Sequence, residues 1–198
     1  MRVKNLHELN EEILKNLETE LKAFTNDEKF DIITLDDGLY SQYFYYKELI
    51  NIIEKNNLTI KLIFFISTDI ISSPGEQILN ITSSDAHQNY FQHNDKRAFM
   101  NKYQILEIYN TPNCYIGGHG HTHFRMKNMS LKDQTFAIKL ECKNMLEIFK
   151  DLEIEMKYFA FPYNDELFQF KQYLGKDIIY FGKEREKWKE LEYVVMGM

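Results

Sequence analysis

The sequence predicts an α/β fold with a parallel sheet and outer helices, and two observations carry that reading. Short apolar runs rich in β-branched residues alternate with longer stretches of helical periodicity: a strand over 30–35, a helix over 40–54 and a strand over 59–66. That strand–helix–strand unit is the signature of parallel strands joined by crossover helices. The polar motifs also fall at strand ends: Asp36 and Asp37 follow one strand, His119 another, and Pro162-Tyr163-Asn164 a third. Barrels and open parallel sheets gather their active sites at the carboxyl ends of strands.

The remaining elements follow in order. Leu6, Leu9, Ile13, Leu17, Leu21 and Phe24 recur at helical spacing, so an N-terminal helix is expected within residues 1–25. Residues 67–98 lack clear periodicity, carry the turn Ser72-Ser73-Pro74-Gly75 and hold His87 and His93; they read as a loop insertion. Alternation resumes with a helix over 101–110, a strand over 114–118, a long helix over 131–150 and a strand over 157–161. A short helix over 165–174 and strands over 177–181 and 191–196 complete the chain, which reads as one domain over 1–198.

Composition narrows the function. Hydrophobic residues make up 44% and charged residues 27% of the 198, a globular balance. A net charge of −6 without a basic block excludes a nucleic-acid or anionic-membrane surface. The longest apolar run, Leu62-Ile63-Phe64-Phe65-Ile66, is strand-sized, and no signal core follows the N-terminal basic residues, so no membrane insertion and a cytoplasmic location are expected. Cys114 and Cys142 match no disulfide framework or zinc-knuckle spacing and read as small core hydrophobes.

Chemistry concentrates in Gly117-Gly118-His119-Gly120-His121-Thr122-His123, where three of the six histidines fall within five residues. Imidazole is the commonest side-chain metal ligand, so a metal site is expected here. His119 with His123 would share a face of a helical turn; His119 with His121, or His121 with His123, would suit an extended segment. In Thr34-Leu35-Asp36-Asp37-Gly38 the bland reading is a helix cap and turn. Two adjacent carboxylates also repel each other unless a cation lies nearby. Phe159-Ala160-Phe161-Pro162-Tyr163-Asn164 reads as a core strand ending in a proline turn, after which a backbone N–H can face a ligand.

In this order the three segments resemble the motifs of the polysaccharide deacetylase family, the NodB-homology or carbohydrate esterase family 4 fold. Thr34 to Gly38 is similar to its Thr-Phe-Asp-Asp-Gly motif, Ile116 to His123 to the motif with two histidines four apart, and Phe159 to Tyr163 to its Phe-Ala-Tyr-Pro-Tyr form. The resemblance implies a distorted or incomplete (β/α) barrel. It also implies Asp37, His119 and His123 as ligands of one divalent ion, with zinc the expected one. Asp36 becomes the general base, the Tyr163 backbone N–H an oxyanion donor, and His121 stays off the metal. The implied activity is N-deacetylation, with an N-acetylated sugar of a polysaccharide or glycan precursor as substrate.

Two departures stand out. The family's late Leu-x-His histidine, the proton donor to the leaving amine, has no counterpart after His123, which leaves His121, His87 and His93 as candidate substitutes. The arginine often found at the start of the third motif is replaced by Phe159 and Ala160. Alternative readings are a non-catalytic carbohydrate-binding or regulatory protein on the same fold and, from Gly120-His121-Thr122-His123, a metallophosphoesterase, for which the other required segments are absent. Trp188 reads as a packing residue or the wall of a sugar groove.

Overall fold

A computed structural model describes residues 2–23 and 31–183. Among the described residues the strands form one six-stranded sheet in the order β1 (Val3–Leu6), β2 (Ile32–Leu35), β3 (Lys61–Ile66), β4 (Cys114–Gly118), β5 (Tyr158–Ala160) and β6 (Ile179–Phe181). Every neighbouring pair is parallel. Each strand therefore lies beside its predecessor, the chain winds in one direction, and the sheet forms a half-barrel with helices α1 (Glu11–Ala23), α2 (Tyr40–Lys55), α4 (Lys102–Tyr109), α5 (Leu131–Asp151) and α6 (Phe168–Leu174) between strands. A further helix, α3 (Ser83–His93), interrupts the β3–β4 connection.

Side-chain alternation along the strands sorts the core into two layers. Leu62, Phe64 and Ile66 of β3 join Ile33, Leu35 and Ile116 against Leu49, Ile53, Ile138 and Met145 of the helices. The intervening Ile63 and Phe65 turn to the opposite face and meet Ile32, Ala160 and Phe181. A strand buried on both faces has to read as a continuous apolar run, as Leu62 to Ile66 does. Gly117 and Gly118 in β4 answer to packing rather than to a turn. A Cβ at Gly117 would lie 2.6 Å from the Phe65 ring and 2.9 Å from the Tyr158 carbonyl oxygen, and one at Gly118 2.7 Å from the sulfurs of Met145 and Met156.

Two expectations need correction. The N-terminal segment is not one helix: Val3–Leu6 pairs with Ile32–Leu35 as a strand, and the helix begins only at Glu11. Asn10 starts it, its side-chain oxygen accepting from the Ile13 N–H at 2.8 Å. Leu6 and Leu9 matched the helical spacing by coincidence, because a four-residue strand is too short to show alternation. The 67–98 insertion is not a featureless loop. It contains α3, whose Thr82 cap accepts from Asp85 N–H at 3.1 Å and whose end is a left-handed Asn94. Only Ala86 and His87 of this helix are buried, so it carries no apolar stripe to reveal it. Leu39, Ile70, Ala86, Ala98 and Phe99 form a small separate cluster that seats the insertion on the sheet's rim. The expected strand at 191–196, Phe24 of the N-terminal helix and Trp188 lie outside the described residues.

Candidate active site and metal centre

The connections that leave the carboxyl ends of β1, β2, β4 and β5, together with α3, enclose a cavity of about 580 Å³ lined by His7, Asp36, Asp37, Ser83, His87, His119, His123, Phe161 and Tyr163, among others. Its backbone is held in unusual conformations: Asp37 has φ 78°, His123 φ 57°, Tyr163 φ 57° and Asn164 φ 53°. Non-glycine residues rarely occupy this region, and such strain collects at functional sites where the surrounding structure enforces it.

Asp37 lies at the centre. Its Oδ2 accepts from the Ser83 hydroxyl. Its Oδ1 faces three imidazoles, with His123 Nε2 at 3.3 Å, His119 Nε2 at 3.4 Å and His87 Nε2 at 3.9 Å. Burial alone would raise the Asp37 carboxyl; the hydrogen bond that His119 donates and the charges that His123, His119 and His87 exert when their rings are protonated outweigh it and hold it well below the usual carboxylate range. Burial pushes the His123 imidazole well below its ordinary value, against the pull of Asp37. A carboxylate beside a neutral imidazole is the protonation state that a metal ligand set requires.

His119 is oriented from behind: its Nδ1 lies 2.9 Å from the Ala160 carbonyl oxygen. A carbonyl only accepts, so Nδ1 carries the hydrogen and Nε2 is the nitrogen left to face Asp37. His123 is packed between the rings of His87, at 4.1 Å, and Tyr163, at 4.6 Å. Its buried Nδ1 has no hydrogen-bond partner among the described residues. Of the histidine pairs left open by the sequence, the pair four apart is the one that meets Asp37, but it does so from an irregular loop with left-handed Gly120 and His123 rather than from one face of a helical turn.

Asp36 is 2% exposed and lines the same cavity. The fully buried Gln42 side chain donates to the Asp36 carbonyl oxygen and to that of His7 at 2.6 Å, tying the ends of β1 and β2 together. Tyr163 follows Pro162 in a short 3₁₀ turn, and its half-exposed ring lies 5.3 Å from the Arg125 guanidinium, which also holds buried Asp165 at 3.1 Å.

The candidate substitute acids separate. His121 does not line the cavity; its Nδ1 lies 2.8 Å from the Thr68 hydroxyl and its Nε2 3.9 Å from Asp69 Oδ1. His93 is exposed at the last turn of α3. His87 alone of the three reaches the site. Sequence reasoning missed Ser83, Gln42, Glu141 and Arg125. The helix cap Thr82-x-x-Asp85 was a legible signal for the segment that brings in Ser83, whereas nothing local marks Gln42, Glu141 or Arg125.

The histidine loop itself is fixed by Glu141 of α5. This buried carboxylate accepts from the backbone N–H groups of His121 at 2.6 Å and Thr122 at 3.0 Å, and from the Thr122 hydroxyl at 2.7 Å. Glu141→Ala leaves those donors unmatched and is expected to cost about 3 kcal/mol of stability. A fall in the urea midpoint at unchanged m-value checks this; an unchanged midpoint would show that the loop does not depend on Glu141.

Comparison with known proteins agrees with the fold and the family. A polysaccharide deacetylase family model matches residues 24–176, most of the chain, and the chain belongs to that family. Among solved structures, IcaB from Ammonifex degensii superposes with a TM-score of 0.61 at 16% identity, covering 91% of this chain and 82% of that one. The BpsB deacetylase domain from Bordetella bronchiseptica gives 0.56 at 14% identity, covering 87% and 83%. A de-N-acetylase from Aggregatibacter actinomycetemcomitans gives 0.55 at 12% identity, covering 91% and 71%. No curated protein matches the chain. At these identities the structures show a shared fold. Family membership replaces the metallophosphoesterase reading of Gly120 to His123.

Proposed function

We propose that the chain is a metal-dependent hydrolase that removes the acetyl group from an N-acetylated sugar of a polysaccharide or glycan precursor. The observation that carries this is the convergence of imidazole nitrogens on the one Asp37 oxygen not engaged by Ser83. Asp37, His119 and His123 would hold one divalent ion. A carboxylate with neutral imidazoles suits zinc, the ion we expect. When bound, such an ion lowers the pKa of a water to about 7 and polarises a carbonyl oxygen.

The chain's own groups supply the rest. Asp36, beside Asp37 on the same cavity wall, takes the proton of the attacking water. The Tyr163 backbone N–H donates to the oxygen of the tetrahedral species. An amide nitrogen leaves only when protonated, and the proton taken up by Asp36 is at hand for it. His121 and His93 do not line the cavity, and His87 Nε2 is directed toward Asp37, so one carboxyl acts as base and then as acid. Acetate and a free amine on the sugar result. Arg125 supports the Tyr163 turn through Asp165 from outside the third motif, which lacks its own arginine.

Acetate release from N-acetylated oligosaccharides by the zinc-loaded chain tests the reading. Equimolar acetate and new primary amine are expected, both abolished by chelation. Sugar binding without either product would instead support a non-catalytic carbohydrate-binding protein.

A further inference from the structure

The family motifs supply two histidines, yet three imidazoles surround Asp37. The third, His87, comes from α3 in the insertion, outside all three motifs. Its Nδ1 lies 2.9 Å from the Ser83 carbonyl oxygen, one helical turn back. Because a carbonyl only accepts, the hydrogen sits on Nδ1, and a neutral ring then presents Nε2 as a lone pair. That Nε2 is buried without a hydrogen-bond partner among the described residues, a costly arrangement for a polar atom that nothing else engages. The same device, Nδ1 on a backbone carbonyl and Nε2 turned to Asp37, orients His119.

Two more features aim this helix at the site. Ser83, on the same face as His87, donates its hydroxyl to Asp37 Oδ2, so one turn of α3 contacts the carboxylate twice. Tyr90, another turn along, donates its hydroxyl to Asp69, just past β3. Asp37, His87 and His123 each present a ligand atom, and all of these lie within 4.8 Å of one another; His119 stands outside that trio and joins it through Asp37 Oδ1, 3.4 Å from its Nε2. Ligand atoms around one zinc ion stand about 3 to 4.2 Å apart for bonds of about 2.1 Å, so the 3.9 Å between His87 Nε2 and Asp37 Oδ1 already fits.

We infer that His87 is a fourth protein ligand of the divalent ion, coordinating through Nε2 alongside Asp37, His119 and His123. The inference rests on the metal-dependent reading above and adds a ligand from the insertion to it. The metal then clamps α3 to the sheet, so one wall of the substrate cavity is fixed by the ion itself. His87 is thereby a ligand rather than the replacement for the missing proton donor.

X-ray absorption of the zinc-loaded full chain counts the imidazoles: three are expected on one ion, and two would overturn the inference. Cobalt titration of the stripped chain provides the second measurement. His87→Ala is expected to weaken Co²⁺ binding at least about 10-fold and to change the visible absorption bands of the bound ion. Unchanged affinity with unchanged bands would overturn it. Should His87→Ala fail to fold, the wild-type imidazole count decides alone. Failure of the underlying reading looks different: the wild type would take up no Co²⁺, or His123→Ala would bind it as tightly as the wild type.

Discussion

Asp36→Asn is expected to lower kcat for acetate release by about 10³-fold while leaving the bound ion in place. The change preserves shape in a position only 2% exposed, so packing should survive it. What disappears is a proton acceptor. Positioned acid–base groups contribute about 10²- to 10⁴-fold, and here one carboxyl serves both the water and the leaving nitrogen, which argues for the upper half of that range. Asp37 is the carboxylate that the His119 and His123 nitrogens approach, so metal stoichiometry should be unaltered. Steady-state kinetics with elemental analysis of the same sample checks both parts. A kcat within tenfold of wild type would remove Asp36 from the reaction.

Asp37→Ala should do the opposite, abolishing the ion first and activity as a consequence, with zinc affinity falling on the order of 10³-fold. It also has an effect in the metal-free chain. The native Asp37 carboxyl lies well below its unfolded value, so the unfolded chain takes up the proton first as pH falls. Stability from this group is therefore complete above the unfolded pKa of about 3.9 and is lost as pH drops toward the native value. In Asp37→Ala that component of the acid-side decline disappears. Urea unfolding of the stripped proteins between neutral and acid pH reads it as a shallower slope for the variant. An identical slope would mean that Asp37 is not held by its imidazoles in solution.

The sequence foretold the strands and helices that alternate regularly, because buried parallel strands must be apolar throughout and crossover helices must show a face. Ile32–Leu35, Lys61–Ile66 and Cys114–Gly118 follow from that alone. Val3–Leu6 did not, since two apolar residues in a four-residue strand fit a helix equally well. The residues that line the cavity were legible for the same reason the fold was: Asp37, His119 and Tyr163 stand just beyond strand ends, where such sheets gather their chemistry. His87 was visible only as a histidine in an unexplained insertion. Its place depends on α3 turning one polar face to the cavity, and polar contacts leave no periodicity to read. Gln42 and Glu141 act at long range through backbone groups of other segments, a relation that no local spacing encodes.

The measurement that tests the metal centre most directly is a calorimetric titration of the stripped full chain with Zn²⁺, accompanied by elemental analysis of the product. One ion per chain is predicted, bound tightly enough to survive gel filtration and released by a chelator. A chain that takes up no ion, while its circular dichroism shows it folded, would contradict the account at its centre.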